Sequence, residues 1–322
     1  MSAAVALAGV AALLAVLPAL AGARRRAPAT ALAMWSLALA VRAGAIVLMA
    51  GYVLLVFPGT AAFAAITDWC VHTAIPLLAT RIDLAGHRVG DLTIGVPLLA
   101  LLVVVAWALA RAIRGSRSLR RTIGAEAVGA GPGGTVVLRG REVFLAAAGF
   151  RRPQVVVTAG ALLHLDEQEL AAAIEHERGH IRRGHRYVLL FAELNAAVAR
   201  RLPGTRTALA EIRLHVERDA DAWALRQSHD RFALASAICK AALSRATTPA
   251  MSALGGPGGA TERIDELIAP ERAAPAVGDR ALLAVAASGA MAMVASLAVV
   301  VPAFLAEGGS HAVAAVRLAC GF

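Results

Sequence analysis

Four apolar runs of about membrane-spanning length constrain this chain more than anything else in it: residues 3–21, 34–57, 94–113 and 281–305. A helix needs about twenty apolar residues to cross hydrocarbon, and backbone groups in lipid must bond within their own segment. Hydrophobic residues make up 58% of the chain and mean hydropathy is +0.66, well above a soluble domain. The expectation is a mainly α membrane protein with four transmembrane helices and an α+β domain between the third and fourth. It divides into a three-span region at 1–113, a domain at 114–280, a fourth span at 281–305 and a short tail outside at 306–322.

Arginines orient the spans. The first run is no cleavable signal peptide, because Arg24, Arg25 and Arg26 follow it and no basic residue precedes it. That triple-arginine loop belongs on the cytoplasmic side, which leaves the N-terminus and residues 58–93 outside. Arg111, Arg114, Arg117, Arg120 and Arg121 follow the third run, so the domain at 114–280 faces the cytoplasm of a multi-pass plasma-membrane protein. Residues 61–78 are apolar but carry Asp68, His72 and Pro76, and read as an interfacial or re-entrant piece. Arg42, inside the second run, reads as snorkelling or pairing within the bundle. Residues 187–198 are interrupted by Glu193 and Asn195 and are too short to cross, so they read as a domain helix.

Within the domain stands His176-Glu177-Arg178-Gly179-His180. On a helix, positions four apart share a face, so the two imidazoles can serve one zinc ion. Glu177 beside them can take a proton from a water. Asp166 reads as the N-cap and Glu169 as its capping-box partner, with Leu165 and Leu170 at the staple positions, for a helix over 167–183. Leu170, Ile174 and Ile181 form its apolar stripe, and Gly184 ends it. His185 falls off the ligand face, a surface histidine or one that supports a ligand from behind.

Two histidines leave one protein ligand to find. The third histidine of the metzincin spacing is missing, since Arg186 occupies that position. Glu217 in Glu217-Arg218-Asp219-Ala220-Asp221 is the better candidate. A helix over 206–226 would place Glu217 and Asp221 on one stripe with Ala210, Leu214 and Leu225, and carboxylates on an apolar face need a partner. One of the pair could bind zinc while the other orients a ligand imidazole.

Together these two motifs resemble the zinc-peptidase core of the M56 and M48 families. M56 includes membrane sensor proteases that regulate β-lactamase expression; M48 includes prenyl-protein and heat-shock membrane proteases. The stretch 148–162 is similar to the strand that precedes the motif helix in both. The resemblance implies a gluzincin-type (zincin-like) domain with His176, His180 and Glu217 on zinc, Glu177 as base and Asp221 supporting a ligand. Arg263 matches the position of a family arginine that would act at the catalytic centre, with an ion pair inside its own helix as the alternative. A Gly-rich stretch over 251–260 replaces the His-Pro usual in M48. The layout of spans follows M56, but the 17 residues after 305 are too few for a penicillin-binding domain, so β-lactam sensing is not expected here.

Other features carry less. Gly129, Gly131 and Gly134 spell GxGxxG, yet Pro132 interrupts the loop and a strand-like run follows, so it reads as a turn. A net charge of +10 with only 4% aromatics lacks the stacking residues of a nucleic-acid binder and suits anionic lipid better. Cys239 reads as buried and inert, while Cys70 and Cys320 share the outer side, where a disulfide persists. The expected activity is zinc-dependent cleavage of a cytoplasmic or membrane-proximal protein, such as a transcriptional repressor in signalling. An extended substrate would pair with Val155-Val156-Val157 as a sheet edge. The alternatives are quality control of membrane proteins and a zinc-stabilised receptor that cuts nothing.

Overall fold

A computed structural model describes residues 13, 15–19, 22–55, 68, 88–150, 152–227, 230–246, 259–269 and 288. Among them the protein is mostly helical, with one four-stranded sheet. A short 3-10 turn at Ala23–Arg25 leads into α1 (Pro28–Leu55). Helix α2 (Arg88–Glu126) then carries the chain into the domain. Strands β1 (Ala127–Ala130), β2 (Val136–Leu138), β3 (Leu145–Ala148) and β4 (Gln154–Thr158) follow. The remaining helices are α3 (Ala159–His164), α4 (Glu167–Arg182), α5 (His185–Val198), α6 (Thr205–Arg226), α7 (Arg231–Ala246) and α8 (Ala260–Ile268).

One described helix is long and apolar enough to cross a membrane, over Pro28–Ala50. It contains most of the run expected at 34–57, and α2 contains all of the run at 94–113. Of the run at 3–21 only residues 13 and 15–19 are described. The run at 281–305 and the piece at 61–78 (but for one residue each), Cys70 and Cys320, and the Gly-rich stretch before Gly259 lie outside the described residues.

The sheet runs in the order β1-β2-β4-β3, with β2 and β4 parallel and the other pairs antiparallel. This corrects one expectation. Val155, Val156 and Val157 lie in β4, between two neighbours, with every one of them buried, so their strand has no free edge. The edge beside α4 is β3. The glycine motif is the β1–β2 turn as expected, with a 3-10 turn at Pro132–Gly134 and a strand after it.

Helix α4 starts as its sequence dictates. Asp166 accepts from Glu169 N at 2.8 Å and Glu169 reaches back to Asp166 N at 2.9 Å, a complete capping box. It ends at Gly184, whose φ of 69° is the left-handed value that glycine tolerates best. Gly179 matters for another reason. A Cβ there would stand 3.1 Å from Trp223, so its absence lets α4 and α6 pack closely.

Helix α6 corrects a second expectation. Its buried apolar face is Ala208, Ile212, Val216, Ala220 and Ala224, while Ala210 and Leu225 are exposed. Glu217 therefore does not sit on an apolar stripe. Cys239, expected to be buried, is exposed on α7.

Candidate metal centre

Helices α4 and α6 bring three side chains to one point. His176 Nε2 and His180 Nε2 are 3.2 Å apart. Glu217 Oε2 lies 3.5 Å from the first, and Glu217 Oε1 lies 3.6 Å from the second. Zinc bonds of about 2.0–2.1 Å in a tetrahedron place ligand atoms about 3.3 Å apart, and these spacings fit that figure. Among the described residues this is the one group of three such side chains close enough to hold a metal ion. The Glu217 side chain is 38% exposed, which leaves the cluster open to water and to a substrate.

Each imidazole is backed from the far side of its ring. Asp221 Oδ1 approaches His176 Nδ1 to 2.9 Å, though without an in-line hydrogen bond. Asp221 in turn accepts two hydrogen bonds from Arg263, at 2.7 Å from Nε and 2.6 Å from Nη2. The third nitrogen, Nη1, donates to Glu217 Oε2 at 2.9 Å. Arg263 lies on α8, so its ion pairs reach across to α6 and not along its own helix. With all three nitrogens engaged by two carboxylates, it positions Glu217 and Asp221.

His180 is held differently. Its Nδ1 lies 3.0 Å from His185 Nδ1, and His185 Nε2 lies 3.0 Å from Asp219 Oδ2. Arg183 closes the chain by donating to both Asp219 oxygens, at 2.7 and 2.8 Å. His185 is buried, which makes it a support for His180 and rules out the surface reading. Asp219 and Arg183 were not expected to matter. A signal existed: Asp219 continues the buried face of α6, where an acid needs a partner, and two basic residues follow the motif helix.

Burial and charge act oppositely on the two rings. Burial alone would lower His176, but Asp221 and Glu217 outweigh it and raise the ring to about 10. His180 is lowered, chiefly by burial, which favours the neutral form that binds metal. Burial opposes ionisation of Glu217 and Asp221, yet both carboxyls stay below the ordinary range. His176 and Arg263 hold Glu217 there; Arg263 and His176 hold Asp221.

Glu177 points toward the sheet, where its Oε2 accepts from the backbone N–H of Ala147 at 2.6 Å. Ala147 belongs to edge strand β3, so the candidate base touches a strand edge beside the cluster. Arg178 pins the β1–β2 turn to α4 by donating to Gly133 O at 2.6 Å. These parts can bind a divalent cation, hold a base next to it and offer a strand edge to an extended chain.

No curated protein and no solved structure matches the chain. Residues 117–267, which include every side chain of this cluster and its supports, match the family model for peptidase family M48.

Proposed function

We propose that the chain is a membrane-anchored zinc endopeptidase acting on a protein segment near the cytoplasmic face. The observation that carries this reading is the triangle of His176, His180 and Glu217, with ligand-atom separations of 3.2, 3.5 and 3.6 Å. His176, His180 and Glu217 would hold the metal. Bound there, zinc would acidify a coordinated water and polarise a peptide carbonyl. Glu177 takes the proton from the attacking water and returns it to the leaving amine. Edge strand β3 pairs with the substrate backbone as an added strand, which draws Glu177 away from the Ala147 amide it now holds. Asp221 and Arg263 keep His176 and Glu217 in place throughout.

The match to family M48 favours turnover of membrane proteins over the M56 sensor reading, which gains no support from it. Cleavage of a transcriptional repressor rests on the arrangement of apolar runs alone. A receptor that binds zinc only for stability has no use for Glu177, whose carboxylate is set against a strand edge and accepts from the Ala147 amide. The test is Glu177→Gln. We expect zinc content unchanged and cleavage of a casein-type substrate reduced by at least about 1,000-fold, within the range for removal of a general base. Undiminished cleavage by that variant would remove the mechanism.

A further inference from the structure

Helix α1 qualifies by composition as a membrane helix from its first residue, yet its two halves have different neighbours. Up to Arg42 it is packed, with Ala31, Met34, Trp35 and Leu39 buried against Ala192, Ala196, Ala208 and Ile212 of α5 and α6. Beyond Ala43, the side chains of Val47, Leu48 and Met49 are 47%, 43% and 62% exposed. The helices that cover the first half carry charged groups on their outer faces, which on α5 stand beside the exposed aromatics Tyr187 and Phe191. Glu193 of α5 and Arg213 of α6 form an exposed ion pair, and Arg206 is exposed at the start of α6. Such groups need water beside them. Arg42 stands at the change. It donates to Pro203 O at 3.2 Å, in the α5–α6 loop where Arg200 and Arg201 are exposed.

From this, and resting on the membrane anchoring proposed above, we infer that the bilayer surface crosses the molecule at Arg42, halfway along α1. Anionic lipid headgroups meet Arg42, Arg200 and Arg201, and hydrocarbon surrounds Val47, Leu48 and Met49. Charge selects the lipid, since three guanidinium groups face a negative surface at the base of an uncharged apolar collar. Residues 43–66 contain no charged side chain, so the sequence above Arg42 is long enough to cross. The first half of α1 is then a core helix of the peptidase domain. The triple arginine lies in cytoplasmic water, where Arg24 pairs with Glu211 of α6 and approaches Glu262 of α8.

The boundary sets how far the metal cluster lies from lipid. Two sets of contacts run α6 antiparallel to α1: Arg42 with Pro203 at one end, and Arg24 with Glu211 and Arg218 at the other. Glu217 follows Gly204 by 13 residues of helix, which is about 20 Å. With the surface at Arg24 the cluster would lie among headgroups, because Arg218, next to Glu217, donates to Arg24 O at 2.7 Å. With the surface at Arg42 it lies about 20 Å into water. The substrate class that fits is a membrane-anchored protein cut at least about six extended residues from its anchor. A bond inside the bilayer is out of reach.

Nitroxide labels on the full chain in phosphatidylglycerol-containing liposomes test this, with Cys70, Cys239 and Cys320 replaced by serine. Single labels go at Ala33 and Arg206 below the boundary, and at Val47 and Met49 above it. Relaxation by a water-soluble nickel chelate is expected to dominate at 33 and 206, and relaxation by oxygen at 47 and 49. Oxygen dominating at 33 and 206 would overturn the inference while leaving the membrane anchor intact. Shielding of 47 and 49 from both agents would mean that protein, and not lipid, covers this face. Nickel dominating at all four would sink the anchor and the inference together.

Discussion

The two imidazoles of the cluster are four residues apart on one helix, but they are supported in two ways. His176 meets a carboxylate directly, Asp221, which is clamped by Arg263 from α8. His180 meets one through a relay, His185, which leans on Asp219 and is clamped by Arg183 from the end of the motif helix. Both carboxylates come from α6 and both are paired with an arginine. The difference is one intervening ring. The electrostatics differ as well: Asp221 and Glu217 outweigh burial and raise His176 to about 10, while His180 is lowered, chiefly by burial. So do the connections: the Asp221 support depends on α8 staying docked, whereas the Asp219 support belongs to α4, α5 and α6 alone.

Removing what the two supports share should have the largest effect. Glu217→Ala takes away the carboxylate facing both rings and should weaken zinc binding by more than about 100-fold, measured by competition with a chelator. Asp221→Asn comes next, at about 100-fold, because the lost charge touches a ring directly. Asp219→Asn should cost about 10-fold, the lower end of the range for such partners, since His185 still occupies the space behind His180. Their independence can be tested in the double variant. Free-energy losses that add would support two separate devices, and a double variant no worse than Asp221→Asn would merge them into one.

A smaller effect is expected at the far end of α4, which anchors the motif helix. Glu169 is buried with Lys240 and Ser236 upon it. Burial opposes its ionisation, but Lys240, Ser236 and the Asp166 amide outweigh that and lower its pKa. A lowered folded pKa means that the stabilisation is present above the ordinary carboxylate value of 4.5 and is lost as pH falls below it. Glu169→Gln should therefore lower stability by about 1–3 kcal/mol at pH 7 and by much less near pH 3, read from urea unfolding at each pH.

How much of this was legible in the sequence follows from how local each signal is. The motif helix, its capping box and its glycine stop are set within one or two turns, and they form as expected. Glu217 and Asp221 follow from the need to complete a two-histidine site, and the residues do converge. The apolar stripe expected around them does not exist: that face is partly exposed, and the buried face of α6 runs through Ile212, Val216 and Ala220. Strand order is a long-range property. A run of three valines reads equally well as an edge or as a centre, and only pairing with β2 and β3 places it inside. The target of Arg263 depends on how α8 docks on α6, which no local pattern encodes. Asp219 and Arg183 pair across two helices, away from the ligand face, so neither local sequence shows the contact.

Zinc content measures the central claim most directly. The purified chain and its Glu217→Ala variant, dialysed against the same metal-free buffer, should contain about one zinc per chain and close to none, with circular dichroism unchanged between them. Equal zinc in both proteins, or none in either, would contradict the assignment of His176, His180 and Glu217 to a single metal ion.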